Sequence, residues 1–282
     1  MTKLLSVQQL NKSFKDSNFR INNVSFEVHE GEIVALIGKN GSGKSTLIRM
    51  IAGDYPIEQG TVSFFEAQPS MNDTAYKNEI SVVFDALNFP KKFTVKMIDK
   101  IFKQLYTNWN SAQFFAWIKK FELPADQQVK QFSRGMSMKV SMAAALSHQS
   151  RLLILDEATA GLDAASRGEM QDELEKFVHE GNRAILMTSH IAEDVERLAT
   201  RLFFIKNGEV AEQISKRELF ESFGILNCDA KQFSTLDKES ILAYKEHLGQ
   251  FEVLLKKDNS EDIRSLSGID EANKIILGGT AS

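Results

Sequence analysis

Long hydrophobic runs, paired cysteines and an excess of positive charge are all absent from this 282-residue chain. No stretch approaches the roughly 18 to 20 apolar residues of a membrane helix, and the N-terminus MTKLLSVQQL lacks the apolar region of a secretory signal. The single cysteine, Cys228, cannot form an intramolecular disulfide, which suits a reducing compartment. The formal net charge of -4 gives no electrostatic case for nucleic-acid binding. We therefore expect a cytoplasmic protein that binds no nucleic acid and reaches a membrane only through a partner.

Strand and helix patterns alternate along most of the chain, whose 43% hydrophobic residues suffice for a large core. Residues 4–11 and 21–28 alternate apolar with polar side chains, which predicts half-buried antiparallel strands. Residues 33–38, IVALIG, are nearly all apolar, as in a strand buried on both faces. Strands alternating with helices predict an α/β fold built on a parallel sheet. Further strands are predicted at 61–65, 80–84, 152–156, 184–189 and 201–206, and helices at 46–52, 164–178 and 191–199.

Two regions interrupt this alternation. Helical spacing over residues 91–148 predicts a helical insert within the main domain. Beyond about residue 215 the pattern weakens, with a helix predicted at 238–248 and a strand at 251–256. We expect a main domain at 1–215 and a small α+β appendage at 216–282.

The segment GKNGSGKST, residues 38–46, fits the pattern GxxxxGK[ST] between a predicted buried strand and a helix. Its glycines let backbone N–H groups close around phosphate oxygens, and the helix N-terminus favours anions. Lys44 can reach the β- and γ-phosphates of a nucleotide, and the Ser45 hydroxyl can join a Mg²⁺ shell. The alternative, a glycine-rich turn that fits by chance, is disfavoured by the flanking strand and helix.

A second motif, LLILDE at residues 152–157, places two carboxylates at the C-terminal end of a predicted buried strand. Ligands collect at this end of parallel sheets. Asp156 would hold Mg²⁺, and Glu157 would orient or deprotonate an attacking water. Taken alone, adjacent acids at a strand end are often only solvated loop residues.

Three further segments fall in a fixed order around these two motifs. FSRGM (132–136) precedes Asp156 by about twenty residues, and AGLD (160–163) and TSH (188–190) follow it. With them, residues 1–215 resemble the ABC transporter ATP-binding family, whose order is phosphate loop, signature, carboxylate strand, D-loop and switch histidine. The resemblance implies a P-loop NTPase sheet core with an antiparallel β subdomain and a helical insert. It also implies ATP hydrolysis with ATP and Mg²⁺ as cofactors.

The resemblance assigns roles to residues whose types alone would not reveal them. Ser133 and the Gly135 backbone look like donors to the γ-phosphate bound by the opposite subunit of a dimer, assisted by the helix dipole. Asp163 resembles the D-loop residue that passes between the two sites, and His190 the histidine that hydrogen-bonds the γ-phosphate. Phe14 resembles the aromatic residue that stacks on adenine, although an edge-strand core position explains it equally well.

The expected site contains three overlapping sets of residues. The catalytic residues are Lys44, Glu157 and His190. The nucleotide-binding residues are Phe14, Gly38, Asn40, Gly41, Gly43, Lys44, Ser45, Thr46, Ser133, Gly135 and Asp163. The metal-binding residues are Ser45, Asp85 and Asp156.

The chain departs from the family pattern at one of these positions, Asp85, and at three others. Asp85 stands where the family has a glutamine that senses Mg²⁺ and the attacking water; an ordinary turn residue is the alternative. The signature carries Arg134 and Met136 where Gly and Gln are common, and Ala158 replaces the Pro that follows the acids. Since Ser133 and Gly135 remain, we expect activity to survive.

The segment VVFD, the insert and the signature together resemble exporter-type bacterial ATPases of the bacitracin-resistance and acetoin-utilisation-operon type. That likeness implies a homodimer or heterodimer of ATP-binding subunits beneath separately encoded membrane permease subunits. Lysines among aromatic residues at 91–103 are as a rule a solvated face, but we expect the surrounding surface to dock the permease. A soluble ABC ATPase that remodels ribosomes or DNA-repair complexes, and a phosphate-loop kinase or GTPase, are the alternatives.

Overall fold

The computed structural model describes residues 2–15, 17–65, 75–85, 89–257 and 262–278. Within these ranges no helix combines the length and apolar character needed to cross a bilayer. The strands are β1 (Lys3–Phe14), β2 (Ser17–His29), β3 (Ile33–Ile37), β4 (Gln59–Phe64), β5 (Ile80–Val83), β6 (Leu152–Asp156), β7 (Ala184–Thr188), β8 (Arg201–Lys206), β9 (Glu209–Ser215), β10 (Phe223–Asp229), β11 (Ile241–His247), β12 (Gln250–Lys256) and β13 (Arg264–Ser265). The helices are α1 (Lys44–Ile51), α2 (Val95–Leu105), α3 (Ser111–Lys120), α4 (Arg134–Ser147), α5 (Ala164–His179), α6 (Ala192–Leu198), α7 (Lys216–Ser222), α8 (Ala230–Thr235) and α9 (Ile269–Gly278).

A six-stranded sheet with the order β5-β6-β7-β3-β8-β9 forms the centre of the protein. Its strands run parallel except β9, which pairs antiparallel with β8. Every residue of β3, β6 and β7 is buried, which explains their nearly continuous apolar runs. The predicted α/β fold with a central parallel sheet is confirmed.

Alternate side chains of the central strands enter two separate cores. On β3, Ala35 packs into a core shared with α2 to α6, whereas Val34 and Leu36 face a second core with α1 and the antiparallel sheet. That second sheet has the order β2-β1-β4, and its strands pair antiparallel. The predicted antiparallel strands at 4–11 and 21–28 are confirmed as β1 and β2.

The insert is helical as predicted, and side-chain caps set where its helices begin. The Thr94 hydroxyl accepts a hydrogen bond from the N–H of Met97 at the start of α2, and Asn110 does the same for Gln113 at the start of α3. The fully buried Phe114 of α3 anchors the insert in the first core.

Residues after 215 form a four-stranded antiparallel sheet, β11-β12-β10-β13, with α7, α8 and α9. Helix α9 returns to the main body: Ile275 joins the first core, and the N–H of Ile269 donates to Oε1 of Glu196 at 2.7 Å. Cys228 is buried inside the small sheet. The α+β character of this region agrees with the prediction, and its treatment as a separate unit stays a prediction.

The helix predicted at 238–248 is wrong. A short 3-10 turn at Lys238–Ser240 leads into β11, which pairs along its length with β12. Leu248 and Gly249 both have positive φ, 51° and 74°, and close a two-residue hairpin between His247 and Gln250. Strand pairing across this turn overrides the local helical preference. The strand predicted at 251–256 is confirmed as β12.

Candidate active site

The phosphate loop connects the buried strand β3 to α1, as the sequence predicts. Gly43 stands at the N-cap of α1 with a φ of 112°. A Cβ on it would lie 2.8 Å from the ring of Phe19 and 2.9 Å from the side chain of Ile21. Glycine is therefore required here for both conformation and space. Asn40 and Gly41 lie in the same loop, and Thr46 in the first turn of the helix.

Lys44 is buried at the base of this loop. Its Nζ donates to the carbonyl oxygens of Gly38 at 2.7 Å and Lys39 at 3.2 Å. Burial lowers the pKa of Lys44, while the nearby Glu157 and Asp156 act in the opposite direction. A cation held by neutral carbonyls in this way is poised to exchange them for anionic phosphate oxygens.

Asp156 ends β6 beside the phosphate loop and is 2% exposed. Its Oδ1 accepts a hydrogen bond from the Ser45 hydroxyl at 3.0 Å and another from the Thr188 hydroxyl at 2.7 Å. Thr188 ends the neighbouring strand β7, and Ser45 lies in the first turn of α1, so a strand and a helix bring these two partners to one edge of the sheet. Carboxylate and hydroxyl oxygens at this distance fit Mg²⁺, which is bound by one or two carboxylates together with phosphate oxygens. Within the described ranges, no group of three or more acidic, His or Cys residues could hold a metal by protein ligands alone.

Glu157 and His190, which the sequence predicts to be catalytic residues, contact each other. Nδ1 of His190 lies 2.6 Å from Oε2 of Glu157, and the His190 N–H donates to the same oxygen at 3.2 Å. Glu157 has a φ of 54°, and its N–H donates to the Thr188 hydroxyl at 3.0 Å. The left-handed backbone turns the carboxylate off the end of β6 and towards the histidine.

Ser133, Gly135 and Asp163 lie at the starts of two helices, α4 and α5. Ser133 caps α4 by accepting from the N–H of Met136 at 3.2 Å. A Cβ on Gly135 would lie 2.9 Å from the carbonyl oxygen of Gly161, so the signature and D-loop pack backbone to backbone. Asp163 caps α5, and hydrogen bonds from the N–H and hydroxyl of Ser166 lower the pKa of its carboxyl.

The predicted residues therefore fall into two sets. Lys44, Ser45, Asp156, Glu157 and His190 form the first set, which we call the phosphate side. Ser133, Gly135 and Asp163 form the second, which we call the signature side. Among the described residues, no hydrogen bond or ion pair joins a side chain of one set to a side chain of the other.

Asp85 belongs to neither set in its contacts. Its carboxylate forms an ion pair with the guanidinium of Arg134, next to the signature, and both side chains are about half exposed. Two of the positions at which the chain departs from the family pattern thus contact each other. A role of Asp85 in metal binding stays a prediction.

Phe14 lies within an aromatic group at the end of β1 that the sequence did not reveal as a unit. Its ring centroid is 6.1 Å from that of Phe19 and 6.1 Å from that of Tyr55. Because Phe19 also lies against the phosphate loop at Gly43, this aromatic group lies beside that loop. Alternation within β2 could have found Phe19, but its contact with the loop depends on the packing of the antiparallel sheet.

A phosphate loop and two acids at a strand end, one of which contacts a histidine, on a parallel sheet, define the class of phosphate-loop nucleotide hydrolases. A family model described as "ABC transporter" matches residues 21–160. The Nod factor export ATP-binding protein I of Burkholderia lata is 31% identical over 254 residues, 86% of this chain and 82% of that protein. The chain belongs to the ABC transporter ATP-binding proteins and is an ATPase of that family.

Other relatives agree with this assignment. The ABC transporter ATP-binding protein YtrB of Bacillus subtilis is 28% identical over 220 residues, 78% of this chain and 75% of that protein. A solved ATP-binding subunit of an ABC transporter shares the fold, with a TM-score of 0.70 and 24% identity over 82% of this chain and 93% of that one. A dimeric ATP-binding cassette in a post-hydrolysis state with ADP and Pi has a TM-score of 0.67 and 22% identity over 75% of this chain and 98% of that one.

Proposed function

We propose that two ATP-binding subunits of this kind close around ATP and thereby drive a separately encoded membrane permease, which exports its cargo. The observation that carries this proposal is that, among the described residues, no side-chain hydrogen bond or ion pair joins the phosphate side to the signature side within one chain. A nucleotide held by the phosphate side of one subunit is completed by the signature side of the other. Each complete site then requires two chains.

The phosphate side binds the nucleotide in this proposal. Lys44 leaves the carbonyls of Gly38 and Lys39 for the β- and γ-phosphates, which are stronger, anionic acceptors. Ser45 and Asp156 would hold Mg²⁺, which supplies charge neutralisation at the phosphates when bound. Phe14 would stack on the adenine.

Glu157 and His190 act on the reaction itself. The Glu157 carboxylate takes the proton of the attacking water at Oε2, the oxygen that His190 now contacts. His190 turns from Glu157 to the γ-phosphate, where it donates a hydrogen bond. No covalent intermediate is needed, because positioning and electrostatic stabilisation carry phosphoryl transfer.

The signature side acts across the dimer interface. Ser133 and the N–H of Gly135, at the N-terminus of α4, present donors and a favourable helix dipole to the γ-phosphate of the opposite subunit. Asp163 passes between the two sites from the start of α5. The close contact of Gly135 with Gly161 would make these two segments move together.

A groove between the central sheet and the insert supports the proposal that the chain binds a membrane partner. A cavity of about 470 Å³ opens there, and its lining includes the aromatic residues Phe64, Tyr76, Phe89, Phe93, Phe102 and Tyr106. Two exposed apolar side chains of the insert helix α2, Met97 and Leu105, are 45% and 64% exposed. We propose that this face docks the permease at the inner face of the cell membrane. Copurification with an integral membrane protein tests this docking.

Export is supported by the relatives named for Nod factor export. We propose peptides, antibiotics or lipid-like compounds as cargo, as the exporter-type resemblance implies. The subunit composition of the purified complex with the permease would determine whether the two ATP-binding subunits are identical or are two related chains.

The variant Glu157→Gln tests the proposed site. Glutamine keeps the size of the side chain but cannot take a proton from water, so we expect hydrolysis to fall at least about 100-fold while ATP binding persists. The variant should accumulate as an ATP-bound dimer in size-exclusion chromatography with Mg-ATP. Adding Ser133→Arg should abolish that dimer, and Lys44→Ala should fail to bind ATP. Wild-type hydrolysis by Glu157→Gln, with an ATP-independent oligomeric state, would refute both the catalytic role and the shared site.

A further inference from the structure

A fully buried carboxylate, Asp194, lies close to the active site but in neither of its two sets. It stands on α6, four residues after His190, and its exposure is 0%. One oxygen, Oδ2, accepts hydrogen bonds from the hydroxyls of Thr159 and Ser189, the second at 3.2 Å. The other, Oδ1, accepts from Nε2 of Gln171 at 2.7 Å. A buried acid that is satisfied in this way is a structural anchor of high energetic weight.

The two hydroxyl groups that donate to Asp194 belong to the segments that carry Glu157 and His190. Thr159 lies two residues after Glu157, in a turn closed by the Ala160 N–H on the Glu157 carbonyl at 3.0 Å. Ser189 directly precedes His190. One carboxylate therefore ties together the loop after β6 and the loop after β7.

This anchor is itself held in place by the helix layer. Gln171 of α5 is 4% exposed, and its Oε1 accepts from Nη1 of Arg197 at 2.8 Å. Asp194 and Arg197 both belong to α6, so Gln171 is bound from two sides by the same helix. The carboxylate is therefore held by α5 as well as by its own helix, α6.

We propose that Asp194 is a positioning residue for ATP hydrolysis, which fixes the spacing of Glu157 and His190 through Thr159 and Ser189. The inference rests on the roles proposed above for Glu157 and His190. The phosphate loop is held by other groups, because Lys44 and Ser45 bond to Gly38, Lys39 and Asp156. Loss of the anchor should therefore slow the chemical step and leave ATP binding intact.

The distinguishing variants are Asp194→Ala and Asp194→Asn. Alanine releases both loops, and since a displacement of about 1 Å can cost about 100-fold in rate, we expect kcat to fall about 10-fold to 100-fold. Asparagine can keep the network: its oxygen accepts from Gln171, and its amide donates to the two hydroxyls, which rotate to accept. We expect Asp194→Asn to restore most of kcat. Glu193→Ala, at an exposed acid on the same helix, is the matched control and should behave as wild type.

The measurement is the steady-state kcat and KM for ATP of the purified chain, with thermal unfolding to verify that each variant is folded. A KM within about twofold of wild type, together with a lowered kcat in Asp194→Ala and rescue by asparagine, supports the proposal. An unchanged kcat in folded Asp194→Ala, or an equal loss in both variants, overturns it. If Asp194→Ala does not fold, Thr159→Val and Ser189→Ala each remove one hydroxyl, and an unchanged kcat in both overturns the proposal as well.

Glu157→Gln is measured alongside to separate this inference from the proposed function. If Glu157→Gln retains wild-type hydrolysis, the proposed active site is wrong, and the inference about Asp194 falls with it. If Glu157→Gln is inactive while Asp194→Ala and Thr159→Val keep wild-type kcat, only the positioning role is refuted.

Discussion

At the scale of single residues, two side chains that depart from the family pattern contact each other. The family resemblance places Asp85 at a glutamine position and Arg134 at a glycine position, and the structure joins the two side chains in an ion pair. The arginine gives the carboxylate of Asp85 a partner, so its negative charge is not left unbalanced.

We expect Asp85→Gln to retain hydrolysis and Asp85→Ala to lose part of it, because glutamine can still accept a hydrogen bond from Arg134. An exposed ion pair contributes about 0 to 1 kcal/mol to stability, so neither variant should change the free energy of unfolding by more than about 1 kcal/mol. Hydrolysis assays and a double-mutant cycle with Arg134→Ala measure both effects. Wild-type hydrolysis by Asp85→Ala would show that Asp85 is an ordinary turn residue.

A second residue-scale feature is a histidine that was not singled out in the sequence. Nδ1 of His148 lies 2.9 Å from the Ser81 hydroxyl, and the ring lies 3.9 Å from that of Tyr106 between centroids. Burial lowers the pKa of His148 from 6.5 to about 4. Between these two values the unfolded chain binds a proton that the folded chain does not, so His148 lowers stability as the pH falls from 6.5 to about 4 and has no such effect above 6.5.

We therefore expect His148→Phe to be less sensitive to acid than the wild type over that interval. Phenylalanine does not titrate, and the adjoining cavity of about 470 Å³ leaves room for the larger ring. Urea unfolding at a series of pH values measures the slope. His179→Phe, at an exposed histidine, is the control. Equal slopes in wild type and His148→Phe would contradict the assignment.

The site residues that could be predicted from the sequence, such as Lys44 and Asp156, belong to short motifs that are typical of a particular chemistry. The residues that could not be predicted depend on contacts with residues that are distant in the sequence. Asp194 gains its meaning only when Thr159 and Gln171, 35 and 23 positions away in the chain, are brought to it by the fold. No local sequence pattern predicts contacts between residues so far apart in the chain.

At the scale of elements, the central strands were predicted well because burial on both faces leaves an unambiguous mark. Strands β3, β6 and β7 are apolar at nearly every position. Strand β11 leaves no such mark, since most of its residues are only partly buried. It is a strand because it pairs with β12, and that pairing can be predicted only if the Leu248–Gly249 turn is recognised.

That turn yields a prediction at the same scale. Leu248 is 88% exposed and has a φ of 51°, a region that costs most residues about 1 to 2 kcal/mol and suits asparagine well. We expect Leu248→Asn to stabilise the chain by about 1 kcal/mol, because it removes this strain and no buried contact. Leu248→Val, with a β-branched side chain, should destabilise it. The midpoint of thermal unfolding measures both changes, and a destabilised Leu248→Asn would contradict the hairpin geometry.

At the scale of the whole molecule, the appendage and the nucleotide domain share a core. Ile275 of α9 is 3% exposed within that core, so Ile275→Ala should destabilise the chain by about 2 to 5 kcal/mol. Lys274→Ala, at an exposed neighbour, is the control and should have little effect. We expect one thermal transition, lowered by Ile275→Ala and raised by Mg-ATP. A separate transition that responds to Ile275→Ala but not to Mg-ATP would show that residues 216–282 unfold alone.

Cys228 offers a way to time the opening of that appendage. Burial, with a smaller effect of Asp229, raises the pKa of its thiol. Because the side chain is also buried, a thiol reagent can reach it only after the small sheet opens. Because the chain has one cysteine, a single labelling curve reports on this event without any engineered probe. Comparing its half-time with and without Mg-ATP would express the link between nucleotide and appendage in seconds.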